Sequence, residues 1–137
     1  MTNAPLVFKA KLPPDGPEIE IRIEPKVYDR LRLYNPTDFM NLLTCREVIL
    51  NPGKIFSDLK RPLSDSKDFL CVAGRPKTWY VTETKKAPFP SDLVFLVFLN
   101  DRHSIYEFRA EALDGTDEFC PENYDWRFGE EIKWTNS

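Results

Sequence analysis

The sequence predicts an α+β fold: a single domain over residues 1–137, with a mostly antiparallel twisted sheet and one or two helices packed on one face. Three observations carry this. Residues 18–24 (EIEIRIE) alternate apolar and charged side chains without a fault, the signature of a strand wet on one side. Residues 93–99 (LVFLVFL) are apolar at every position, which suits a strand covered on both faces. Residues 36–50 carry apolar side chains at spacings of three and four, the period of a helix lying on a sheet.

Taken in order, residues 4–12 (APLVFKAKL) predict a first strand. Pro13, Pro14, Asp15, Gly16 and Pro17 form a stiff turn, because each proline fixes φ and glycine tolerates a reversal. The strand over 18–24 then pairs back as a hairpin. In residues 26–34, Val27, Leu31 and Tyr34 fit helical spacing, while Leu31 and Leu33 also fit alternation. A helix follows, with Asn35 as cap, Pro36 in the first position and Asp38 near the positive end. Its expected buried stripe is Phe39, Leu42, Leu43, Arg46 and Leu50, and Asn51-Pro52-Gly53 ends it.

Residues 57–68 are polar and predict a loop. Phe69–Ala73 and Thr78–Thr82 have strand composition, and the prolines of 85–92 predict an extended connection. The apolar run 93–99 turns at Asn100-Asp101-Arg102-His103 and returns as a strand over 104–112, making the central hairpin. Asp114-Gly115 marks another turn. Trp126, Phe128, Ile132 and Trp134 in the tail are expected to pack on the body.

Composition narrows function. The formal net charge of −3 lacks the basic excess of a general nucleic-acid binder. Cys45, Cys71 and Cys120 lack the spacing of a metal knuckle or redox pair, and the chain has one histidine, so no metal and no cofactor are expected. Buried free thiols in a reducing compartment are the simplest reading. No apolar run approaches the ~20 residues needed to cross a bilayer, and the first residues do not read as a leader. No membrane is expected, and the expected location is cytoplasmic.

The strand 104–112 carries the first candidate site. Alternation places Tyr106, Phe108, Ala110 and Ala112 on one face. It places Ile105, Glu107, Arg109 and Glu111 on the other, with His103 continuing the stripe. A carboxylate and an imidazole can act as base and acid in one displacement, and a guanidinium can steady charge developing at phosphorus. In residue types alone the set is similar to the sites of small barnase-like ribonucleases. Under that alternative, Glu107 is the base, His103 the acid and Arg109 the phosphate group, with Glu111 beside them, acting on RNA without metal. The plain alternative is a wet sheet face whose Glu-Arg-Glu neighbours form exposed ion pairs worth ~0–1 kcal/mol.

A second cluster, Arg75, Lys77, Trp79, Tyr80 and Lys85, interleaves cations and rings as single-strand binders do. The competing reading puts the rings inward and the cations in solvent. No phosphate loop, dinucleotide fingerprint or calcium loop is present. The favoured expectation is a small binding or regulatory module that docks a protein partner. Its anchors would be Phe119, Tyr124, Trp126 and Trp134, beside an acidic loop of Asp114, Asp117, Glu118 and Glu122.

Overall fold

Strand β1 (Leu6–Lys11) pairs antiparallel with β2 (Glu18–Ile23) from Leu6 opposite Ile23 to Lys11 opposite Glu18. The turn between them closes with Gly16 N–H donating to Pro13 O at 2.8 Å. The computed structural model describes residues 4–57, 70–121 and 130–132. The loop predicted beyond Ser57, and Tyr124, Trp126, Phe128 and Trp134, lie outside them.

Helix α1 (Pro25–Tyr34) starts on a proline at its first turn, where no N–H is needed. Its last turn carries Arg32, favourable beside the negative helix end, and Arg32 pairs with Asp29 at 3.2 Å. Tyr28 is buried, with Val27 and Leu31 packed beside it. Tyr34, expected in that stripe, is 77% exposed, because the chain leaves the helix at Asn35.

The single helix predicted over 36–50 is two. Helix α2 (Pro36–Met40) and helix α3 (Leu42–Leu50) meet at Asn41. Asn35 makes no side-chain cap; its backbone N–H closes α1 on Leu31 O at 2.7 Å. The break resets the helical phase. The buried residues of α3 are Leu42, Thr44, Cys45, Val48 and Ile49. Leu43 and Leu50, expected inside, are exposed, and so is Arg46, whose guanidinium lies 5.8 Å over the Phe8 ring.

The main sheet has five strands, all antiparallel. In spatial order they are β8 (Ile105–Ala112), β7 (Leu93–Leu99), β4 (Leu70–Gly74), β3 (Lys54–Ser57) and β9 (Glu130–Ile132). Strand β3 has no counterpart in the sequence reading: four residues directly after a helix stop are too few to show a period. A separate ribbon joins β5 (Thr78–Tyr80) to β6 (Lys86–Pro88), the latter within the extended connection.

Strand β7 explains its own composition. Phe95, Val97 and Leu99 point to the helices and join Ile55, Val72, Ile105, Cys45, Val48 and Ile49 in one core. Val94, Leu96 and Phe98 point to the other side, with Phe56, Cys71, Ala73 and Phe119. Both faces are covered, as its unbroken apolar run predicts. The apolar faces of β1 and β2 (Ala10, Ile21, Ile23) close the helical side. Gly74 lets α3 come down onto β4: a Cβ there would stand 3.1 Å from Val48 Cγ1, tighter than ordinary contact. The result is α+β, with the helices on one face of an antiparallel sheet.

Candidate functional site

The turn before β8 is built by one side chain. Asn100 Oδ1 accepts from Arg102 N–H at 2.9 Å and Ser104 N–H at 3.1 Å. Its backbone closes the loop with Ser104 and His103. His103 takes a positive φ of 59°, a left-handed conformation that histidine adopts more readily than branched residues. Its carbonyl accepts from Arg22 N–H at 3.0 Å, where β2 touches the start of β8 in parallel.

The strand then departs from simple alternation. Leu99 faces Ile105, but Phe98 faces Glu107, so Tyr106 is an extra residue in a bulge. Ile105 therefore turns into the helical core rather than sharing a stripe with Glu107. Tyr106 swings to the opposite face, 6.3 Å from the Phe98 ring. It does not stand with Phe108, which stacks on Phe95 at 5.9 Å in the helical core. Glu107, Arg109 and Glu111 do share a face, opposite Phe98, Leu96 and Val94. His103 stands apart from them, in the left-handed turn on the far side of the bulge.

Arg109 is committed within that face. Its Nε lies 2.7 Å from Glu111 Oε1, and the two side chains are only 33% and 22% exposed. The guanidinium also draws the neighbouring Cys71 thiol down, against a larger upward push from its burial. Cys45 is likewise pushed up by burial, reinforced by the negative charge of Asp38.

The second cluster is spent on structure. Trp79 packs on the helical core, edge-on to Phe89 at 5.0 Å. Asn41 holds the Tyr80 backbone from both sides, accepting its N–H and donating to its carbonyl, each at 2.9 Å. Lys86 Nζ sits 5.2 Å over the Tyr80 ring. Arg75 donates to Ser91 O at 2.7 Å, and the Lys77 N–H donates to Glu47. The side chains of Lys77 and Lys85 are left in solvent. Within this cluster the Trp79 and Tyr80 side chains are half-buried.

Phe119, expected as a docking anchor, is 5% exposed and packs edge-on against Phe56 at 5.9 Å, so its ring belongs to the core. The acidic loop has a structural job. Asp114 Oδ1 accepts from the Thr116 N–H, the Thr116 hydroxyl and the Glu118 N–H. Its Oδ2 accepts from the Cys120 thiol at 2.8 Å. The thiol first, then the Thr116 donors, hold its carboxyl far below the usual range. Glu118 in turn pairs with Lys54 at 3.3 Å.

Sequence reasoning missed one site. A pocket of about 140 Å³ opens between the helices and β8. It is lined by Val27, Arg30 and Leu31 of α1, Asp38 of α2, and Ile105 to Phe108 of β8. Only the Val27–Leu31 spacing marked one wall in advance. Asp38, singled out for its place in a helix, is half-buried, and burial raises its carboxyl. Neither its carboxylate nor the Arg30 guanidinium has an ion pair or hydrogen-bond partner among the described residues.

Fold and pocket thus define a class: an α+β domain with a half-open cleft between its helical layer and the outer strand of its main sheet. Protein-family models, curated proteins and solved structures give no match to this chain. Among the described residues, no group of three His, Cys, Asp or Glu is placed to hold a metal ion, and no helix is long and apolar enough to cross a membrane.

Proposed function

We propose that this chain is a small binding or regulatory module that docks a protein partner. The observation that carries this reading is the outer side of the helical layer. Leu33 and Tyr34 at the end of α1 are 70% and 77% exposed, and Leu43 and Leu50 of α3 are exposed as well. A single exposed leucine is ordinary, but four large apolar side chains exposed on α1 and α3 favour a layer that something covers. Tyr34 supplies the aromatic anchor that such interfaces favour. The acidic loop at Asp117 and Glu118 and the net charge of −3 favour a partner with basic character. Three free thiols support a reducing, cytoplasmic compartment.

The test is affinity capture from the native source followed by size-exclusion chromatography. The wild-type chain should carry a stoichiometric partner. The L33D/Y34S variant should lose it while keeping its circular dichroism, since both side chains are in solvent. Recovery of the wild-type chain alone would remove the support for docking.

A metal-independent ribonuclease is the weaker reading. Glu107, Arg109 and Glu111 share a face, yet Arg109 already pairs with Glu111 and the imidazole stands across a bulge from both. Wild type and His103→Ala should both leave RNA intact in excess EDTA. Cleavage by wild type with a bell-shaped pH profile, abolished in His103→Ala, would reverse this ranking.

A further inference from the structure

We infer that the cleft between α1, α2 and β8 is the seat for a lysine side chain presented by the docked protein. The inference rests on the docking reading and specifies what that partner inserts.

The shape and chemistry of the cleft suit a long aliphatic stem ending in a compact cation. Val27 and Leu31 form one wall and Ile105 and Phe108 the other, an apolar slot for a run of methylenes. A volume of about 140 Å³ holds one side chain and excludes a folded segment. Asp38 closes the slot from α2 with a half-buried carboxylate that has neither ion pair nor hydrogen bond among the described residues. A carboxylate drawn out of water without a partner is costly, and a cation arriving there removes that cost.

Arg30 lines the cleft from the exposed face of α1. Its cation opposes an incoming ammonium, but its long stem can swing into solvent. There it suits an acidic residue of the partner flanking the inserted lysine. An uncharged aliphatic side chain would fill the slot yet leave Asp38 stranded. The position therefore discriminates charge as well as shape.

The experiment titrates the ¹⁵N-labelled full chain with Nα-acetyl-lysine N-methylamide and follows the backbone amides. Saturable shifts are expected at Val27–Leu31 and Ile105–Phe108. The uncharged norleucine analogue, and the lysine probe on Asp38→Asn, should each bind about tenfold more weakly, as loss of one charge-assisted contact implies. Asp38→Asn keeps the side-chain shape and removes an unpaired half-buried charge, so it should fold at least as well as wild type. Equal binding of both probes, no effect of Asp38→Asn, or no saturable shift at these residues overturns the assignment. The docking reading is scored separately by affinity capture. A partner retained by Asp38→Asn but lost by L33D/Y34S sinks the cleft alone. Saturable lysine binding with no recoverable partner sinks docking alone.

Discussion

Asp114, half-buried, organises the turn around it through both carboxylate oxygens. One carboxylate oxygen gathers three donors from Thr116 and Glu118, and the other takes the Cys120 thiol. All four contacts favour the ionised form, led by the thiol, so the folded pKa lies below the unfolded one. The stabilisation is therefore fully present above the ordinary aspartate value of about 4 and is lost as pH falls through the lower folded value. Acidification should loosen the turn 114–118 only in strongly acidic solution, read as faster amide exchange at Thr116 and Glu118. Asp114→Ala should produce the same loosening at neutral pH. Protected amides in that variant would show that backbone geometry alone holds the turn. The sequence marked Asp114-Gly115 as a turn but gave no hint of the thiol, because Cys120 is six residues away and reaches Asp114 only once the loop has closed.

Among the elements, the junction of α2 and α3 decides how the helical layer sits. Asn41 is buried and makes three hydrogen bonds: two to the Tyr80 backbone and one accepted from the Thr44 hydroxyl at 2.8 Å. It thereby clips β5 to the helices as a neighbouring strand would. Asn41→Ala leaves those groups unmatched in a partly buried place and should cost about 2–3 kcal/mol, measured by urea denaturation. Asn41→Asp should also destabilise, since a carboxylate cannot donate to Tyr80 O. The same junction explains why the helical stripe was only half legible. A continuous helix would have buried Leu43 and Leu50, whereas the break at Asn41 rotates Cys45, Val48 and Ile49 inward. Ile49→Ala should accordingly cost about 2–5 kcal/mol. Leu43→Ser should stay within about 0.5 kcal/mol, as exposed positions do. Equal costs would mean the original stripe was right. Strands fared better because period two survives in short segments: 18–24, 93–99 and most of 104–112 are where alternation or continuous apolarity placed them. The bulge at Tyr106 is the exception. One inserted residue inverts every inference drawn across it, which removed His103 and Ile105 from the proposed stripe while leaving Glu107, Arg109 and Glu111 together.

At the scale of the whole molecule, β7 is the member shared by two cores. Phe95 belongs to the helical side, stacked on Phe108 and edge-on to Phe89, while Phe98 belongs to the opposite side with Tyr106. If residues 1–137 fold as one cooperative unit, damage on either side must be felt by all of it. Phe95→Ala and Phe98→Ala should each cost about 3–5 kcal/mol, since both rings are buried and the sheet cannot collapse into the space. The rings lie on opposite faces, about 10 Å apart along the strand, so the two costs should nearly add. Each single variant should show a lowered denaturation midpoint, and the double variant should lose about twice as much stability, about 6–10 kcal/mol, a large share of the roughly 5–15 kcal/mol typical of a domain. Near-ultraviolet and far-ultraviolet circular dichroism should trace one coincident transition in each single variant. Two separated transitions in Phe98→Ala, with the helical signal surviving the first, would instead mean that the two faces melt independently and that β7 joins them without coupling them.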